Sequence, residues 1–128
     1  MDARDLLARL CEALDARRWD DLPALLHDDF CCRYVHTGES FDKVSWVRLN
    51  AEYPGFEHLV VQDMVGSHDR AAARSHVTGR LDGHLEHFEV ATFASAADGL
   101  ITEMTEVWAD VDATPPEGTR PARAEDRP

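Results

Sequence analysis

Apolar residues recur at helical spacing across residues 2 to 17, where Leu6, Leu7, Leu10, Cys11 and Leu14 share one face and Arg and acidic residues fill the other. The spacing predicts an amphipathic first helix. Trp19 follows, and then Asp20 and Asp21 stand ahead of Leu22 and Pro23. Acid before an early proline marks a helix start, so a short second helix to about His27 is expected to bury Leu22, Leu25 and Leu26. Phe30 to His36 reads as a strand and Thr37-Gly38-Glu39 as a turn. Asp42 is placed to cap a third helix carrying Val44, Trp46, Val47, Leu49, Asn50 and Tyr53, which Pro54-Gly55 ends.

The second half reads as strands throughout: Glu57 to Val65, Arg70 to Leu81, Leu85 to Ala94, and Leu100 to Val111. His68-Asp69, Asp82-Gly83 and Asp98-Gly99 are the turns. Helices followed by a strand meander predict an α+β fold with one curved sheet around the helices. With Asp82-Gly83 as the loop, Leu81 faces His84, Thr78 faces His87, His76 faces Glu89, and Arg74 faces Ala91. Treating Asp98-Gly99 the same way sets Phe93 against Met104, Ala91 against Glu106, and Glu89 against Trp108. Cross-strand partners share a face. One face then collects Arg74, His76, Thr78, His87, Glu89, Ala91, Phe93, Met104, Glu106 and Trp108. The other collects Ala73, Ser75, Val77, Phe88, Val90, Thr92, Thr105 and Val107. The small β-branched set suits a core, yet so does a Trp, Met and Phe cluster, and periodicity leaves both faces open as the buried one.

Composition narrows the function classes. The 128 residues suit one domain with a single core and one pocket. Thirteen basic residues against 25 acidic ones give a net charge of -12, which repels phosphate backbones, so neither nucleic acid nor an anionic membrane surface is an expected partner. No apolar run is long enough to span a bilayer. The start, Met1 to Asp5, lacks the basic-then-apolar pattern of a secretion signal, so a cytoplasmic location is expected. Cys11, Cys31 and Cys32 are odd in number and, with adjacent Cys31 and Cys32 pointing to opposite strand faces, are read as free thiols. Residues 113–128, rich in proline and poor in large apolar side chains, read as a disordered tail behind a domain spanning 1–112. Lys43 is the lone lysine among the basic residues, and with abundant alanine this suits a GC-rich genome.

Several strings resemble the SnoaL-like group of the nuclear transport factor 2-like superfamily. They are Leu49-Asn50-Ala51-Glu52-Tyr53-Pro54-Gly55, Asp98-Gly99-Leu100-Ile101 running on to Glu106-Val107-Trp108, and Leu10 to Phe30, which looks like that group's first two helices. The resemblance covers roughly residues 4 to 111. It implies a cone: a curved, mostly antiparallel sheet wrapped around N-terminal helices, with a pocket at the open end and homodimers packed through the outer sheet face. Met104-Thr105-Glu106-Val107-Trp108 is similar to the Met-x-Ala-x-Trp pocket strand of the ketosteroid isomerases, with Glu106 in place of their alanine. The isomerases' oxyanion-hole aspartate falls at Glu89, their phenol donor near Leu10, and their base near Arg33 and Tyr34. Two of those three groups are missing, which argues against steroid isomerisation by that mechanism. Glu89, Arg74 and Glu106 resemble the Asp-Arg-Asp set of limonene epoxide hydrolase-like members.

The expected function is therefore cofactor-free general acid/base chemistry on a mostly apolar or polycyclic small molecule, as a cyclase, isomerase, dehydratase or epoxide-opening enzyme in bacterial secondary metabolism. Glu106 and Glu89 are the candidate acid/base pair, because two carboxylates beside one guanidinium would differ in pKa. His76 and Arg74 are the candidate tuning groups. Tyr34, Trp46, Asn50, Tyr53, His87, Phe93, Met104 and Trp108 are the candidate pocket residues. His76, His87 and Glu89 share a face as a facial metal triad would, but no H-x-H or H-E-x-x-H string accompanies them, and no metal is expected. No nucleotide-binding or serine-hydrolase motif occurs, so no cofactor is expected. Two other readings stay open: a non-catalytic ligand-binding or dimerisation domain, and an accessory subunit docking through Val77, Phe88, Val90 and Val107.

Overall fold

The computed structural model describes residues 1–122. Helix α1 (Ala3–Asp15) opens on a capping box: the Asp5 amide donates to Asp2 Oδ1 at 2.9 Å, and the Asp2 amide donates back to Asp5 Oδ2 at 3.4 Å. Its apolar stripe (Leu6, Leu7, Leu10 and Leu14) is buried against the sheet. The expected second helix is instead two 3₁₀ turns, Trp19–Asp21 and Pro23–Leu25. Arg17 turns the chain at φ 57°, and the pairing of Leu26 with Ile101 takes the end of the segment into β1. Leu22 and Leu26 are nonetheless buried as expected, and Leu26 already belongs to β1 (Leu26–Tyr34).

A short strand, β2 (Glu39–Asp42), pairs back onto β1, where the sequence suggested only a turn. Asp42 then caps α2 (Lys43–Ala51) by accepting from the Ser45 amide at 2.8 Å. Four long strands follow: β3 (Phe56–Gly66), β4 (Arg70–Leu81), β5 (His84–Ala97) and β6 (Leu100–Asp110). The sheet order is β2-β1-β6-β5-β4-β3, with β1 parallel to β6 and every other pairing antiparallel. The sheet is not closed, and its inner face packs on α1 and α2, which is the α+β cone arrangement expected. No helix is long and apolar enough to cross a membrane, among the described residues. Residues 111–122 form neither helix nor strand, and the rest of the expected tail, 123–128, lies outside the described residues.

The β4–β5 hairpin has the expected register, with Leu81↔His84, Thr78↔His87, His76↔Glu89 and Arg74↔Ala91 paired. The β5–β6 hairpin begins as expected, with Ala97↔Leu100 and Ala96↔Ile101, but then slips by one residue, so that Ser95 pairs with Glu103. Thr102 is the extra residue of this β-bulge, and its hydroxyl donates to the Ser95 carbonyl at 3.2 Å. Beyond the bulge Phe93 pairs with Thr105, Ala91 with Val107, and Glu89 with Ala109. The expected pairings of Phe93 with Met104, Ala91 with Glu106, and Glu89 with Trp108 are therefore corrected.

A slip of one residue reverses every side chain beyond it. Met104, Glu106 and Trp108 join Ala73, Ser75, Val77, Val90 and Thr92 on the inner face. Arg74, His76, His87, Glu89 and Phe93 remain together on the outer face with Val107. Each of the two expected faces is thus half right. The accessory-docking set is split as well, since Val77 and Val90 are buried in the core while Val107 is exposed outside.

Gly55 fixes the return from α2 to β3. Its φ is +78°, and a Cβ there would lie 2.0 Å from the Arg80 carbonyl oxygen. Arg80 donates its amide to the Gly55 carbonyl at 2.7 Å, so the two backbones cannot separate cheaply. Gly55→Ala adds left-handed strain to a backbone overlap, and is expected to lower unfolding stability by about 2 kcal/mol or more. Urea denaturation measures it, and a loss below about 0.5 kcal/mol would contradict the close approach.

Candidate active site

The inner face of the sheet and the C-terminal ends of both helices enclose a cavity of about 540 Å³. Leu14 of α1 and Trp46, Leu49 and Asn50 of α2 form one wall. Leu59, Val77, Phe88 and Trp108 form the sheet side. Trp19, Tyr53 and Phe56 come from the segments around the helix ends, and Tyr34, His36, Thr37 and Glu39 from β1, β2 and their turn. The walls are predominantly apolar and aromatic, as in small-molecule sites.

Glu106 is the charged group buried in this cavity, with 5% of its surface exposed. It stands beside Tyr34 in the parallel β1–β6 pairing and opposite Thr92 in β5. The Trp108 indole N–H donates to Oε1 at 3.0 Å. The Trp46 indole N–H and the Cys32 thiol both donate to Oε2, at 3.3 and 3.4 Å. An indole nitrogen only donates, so a carboxylate oxygen suits each of the two tryptophans. These bonds favour the ionised acid, but desolvation outweighs them, and the Glu106 pKa is raised. None of the partners is a cation.

The same environment acts on the neighbouring groups. Burial, with the Glu106 charge adding to it, pushes the Tyr34 phenol well above its ordinary value, so it stays a protonated donor. Cys32 is raised for the same two reasons. Cys11 is pushed up to about 12, chiefly by burial. All three cysteines are free, and Cys11 and Cys32 are buried thiols rather than poised nucleophiles. His36 stacks on Tyr34 with ring centroids 5.4 Å apart.

Of the expected pocket residues, Tyr34, Trp46, Asn50, Tyr53 and Trp108 line the cavity. Asn50 Nδ2 donates to the Trp46 carbonyl at 2.9 Å, so its amide braces the helix carrying that tryptophan. Met104 is buried in the core beneath the site rather than lining it. His87 and Phe93 are outside, on the opposite face of the sheet.

The Glu106–Glu89 pairing is not formed, because the bulge at Thr102 separates the two carboxylates by the thickness of the sheet. Glu89 instead accepts from Arg74 Nη1 at 2.6 Å and meets His76 Nδ1 at 2.7 Å. His76 Nε2 continues to His87 Nδ1 at 2.9 Å, and Arg74 also bonds Gln62. This network holds Glu89 below the usual carboxylate range, through its bond from Arg74 first and that with His76 second. The Asp-Arg-Asp likeness of Glu89, Arg74 and Glu106 is therefore not realised around one centre. Among the described residues no three His, Cys, Asp or Glu side chains converge as metal ligands.

Sequence reasoning missed Leu14, Trp19, His36, Phe56, Val77 and Phe88 as cavity residues, and Cys32 as a partner of Glu106. One signal for the bulge was present. Ile101 and Met104 are three apart, both apolar and both buried, which a regular strand cannot achieve.

The sequence matches the SnoaL-like domain family over residues 7–104, and the chain belongs to that family. Solved structures agree on the fold. A provisionally assigned ketosteroid isomerase from Kribbella flavida is 27% identical, with a TM-score of 0.77 over 97% of this chain and 93% of that one. IdmH, a provisionally assigned polyketide cyclase from Streptomyces antibioticus, is 20% identical, with a TM-score of 0.70 over 81% and 89% of the two chains. An epoxide hydrolase of M. tuberculosis is 17% identical, with a TM-score of 0.72 over 84% and 82%. No curated protein matches the chain.

The raised Glu106 pKa has a consequence for stability. Between its unfolded and folded values the folded chain holds a proton that the unfolded chain has lost. The contribution of Glu106 to stability is therefore greatest below the ordinary carboxylate range and falls as pH rises towards the folded value. Glu106→Gln removes this ionisation, so as pH rises above the ordinary carboxylate range the wild type is expected to lose more stability than the variant. Parallel urea titrations of both proteins at several pH values check this, and identical pH slopes would contradict it.

Proposed function

We propose that this protein is a cofactor-independent general acid/base enzyme acting on a mostly apolar small molecule, in a cyclisation, isomerisation, dehydration or epoxide opening. The observation that carries the reading is a carboxyl group buried in an aromatic cavity, held by two indole N–H groups and a thiol. A carboxyl with a raised pKa can carry a proton to or from a reacting atom near neutral pH, and such transfers contribute about 10²- to 10⁴-fold in rate. Glu106 is the proton-transfer group, and the protonated Tyr34 phenol beside it is the donor to a substrate oxygen. Glu89, Arg74 and His76 have no part in this chemistry, because they stand on the other side of the sheet. The family spans several reaction types, in keeping with isomerase, cyclase and epoxide hydrolase names among the structural relatives. A cytoplasmic role in bacterial secondary metabolism accords with the sequence composition.

The experiment is turnover of a panel of aromatic polyketides, cyclic enones and terpene epoxides, followed by mass spectrometry and NMR. Glu106→Gln is expected to lower kcat by about 10² or more while ligand affinity changes only a few-fold. Tyr34→Phe is expected to lower it less, by about tenfold. Panel members that bind the wild type and return unchanged would favour the non-catalytic binding reading. Undiminished turnover in Glu106→Gln would remove that residue from the mechanism.

The outer sheet face is proposed as the contact with a second copy of this chain. Val60, Val65, Phe93 and Val107 are exposed on it beside the Arg74–Glu89 ion pair. A face carrying both charge signs next to apolar residues can complement itself about a two-fold axis. Val107→Glu combined with Phe93→Glu is expected to convert a dimer to a monomer in light scattering, and a monomeric wild type would refute the contact.

A further inference from the structure

The cavity contains an acid for which no lysine or arginine among the described residues supplies an opposite charge. Glu106 has neutral donors only, and among the described residues no lysine or arginine lines the cavity. The other ionisable lining groups are Glu39 and Asp110, both exposed at the mouth, together with His36, Tyr34 and Tyr53. Three arginines beside lining residues are engaged elsewhere. Arg17 lies over Phe56 while its Nη2 donates to the Phe56 and Glu57 carbonyls at 3.0 and 2.8 Å. Arg80 pairs with Glu57 at 2.9 Å, and Arg48 with Glu52 at 2.8 Å.

A buried carboxylate needs a counter-charge or a proton. Here the two indole N–H groups and the thiol are arranged around the oxygens as they would be around an anion. A bound anion would meet Glu106, Glu39 and Asp110, against which the described lining residues set only the His36 imidazole. A cation would meet the faces of an aromatic enclosure as well as the carboxylate. Trp19, Trp46 and Trp108 are all three tryptophans of the chain, and all line the cavity, together with Tyr34, Tyr53, Phe56 and Phe88. Such walls attract ammonium groups through the negative faces of the rings, most strongly where water is excluded.

We propose that the ligand of this cavity carries a positive charge, an amine or N-methylated ammonium on an apolar ring frame, with Glu106 as its counter-ion. The inference rests on reading the cavity as a small-molecule site and adds the charge of the molecule. It also links binding to the chemistry. A cation entering beside Glu106 favours its ionised form, so the proton leaves to solvent and the carboxylate is ready to act as a base on the molecule that ionised it. A neutral ligand leaves the proton in place.

The test compares three probes of one shape class: benzyltrimethylammonium, its neutral carbon isostere neopentylbenzene, and the anion phenylacetate. Because every tryptophan lines the cavity, quenching of intrinsic fluorescence reports occupancy directly. The expected result is that the ammonium binds the wild type at least tenfold more tightly than the neutral isostere, and that phenylacetate is weakest. Glu106→Gln is expected to bring the ammonium and isostere affinities within about threefold of each other. The wild-type ratio decides the matter by itself where the variant does not fold. Equal or tighter binding of neopentylbenzene overturns the cationic ligand and leaves the apolar small-molecule reading intact. Binding of none of the three overturns both.

Discussion

Thr102 stands in β6 without a partner in β5, and its hydroxyl is satisfied by the Ser95 carbonyl across the strand gap. This one bulged residue determines what the site contains. It allows Ile101 and Met104 both to point inward, and it carries the alternation that turns Glu106 and Trp108 into the cavity. Without it, Glu103, Thr105 and Val107 would face the helices, and Glu106 and Trp108 would stand on the outer face. Bulges of this kind re-aim side chains next to functional sites at the cost of one unpaired residue.

The placement of Glu106 depends on neighbours from three separate elements. Cys32 comes from β1, Trp46 from α2 and Trp108 from β6 itself. Asp42 caps α2 and so fixes the turn on which Trp46 rides, while Phe30 packs against the Trp46 ring at 5.5 Å. Burial in such a setting is costly for an ion, and the bonds it receives offset only part of that cost. The result is a carboxyl group whose charge depends on what else is in the cavity. The outer network has the opposite electrostatics. There Arg74 and His76 keep Glu89 ionised in contact with solvent, a state suited to holding a surface together and not to exchanging protons near neutrality.

Much of this fold was legible residue by residue. The stripe from Leu6 to Leu14, the Asp42 cap and the Asp82-Gly83 hairpin each follow from local chemistry, and each stands in the structure, whereas α2 ends at Ala51, before Tyr53 and the expected Pro54-Gly55 stop. The short helix expected at residues 20–27 did not form, since the nearby strand pairing of Leu26 with Ile101 claims the end of that segment. Candidate site residues divided along the same line. Tyr34, Trp46 and Trp108 carry their own signal as large side chains at inward positions. His87, Phe93 and Glu89 hold their expected places in β5, and it is the count along β6 to Met104, Glu106 and Trp108 that passes through the bulge and parts them from Glu106.

The sequence by itself determined the class of fold, the start of α2 at its Asp42 cap, and the register of the β4–β5 hairpin, because the local features rest on contacts among residues close in the chain. Only the tertiary structure decided which sheet face Glu106 shares and which groups surround it. Those depend on where an unpaired residue is tolerated between strands, and on side chains brought together from β1, α2 and β6. Such contacts are set by packing across the whole sheet, and no local spacing encodes them.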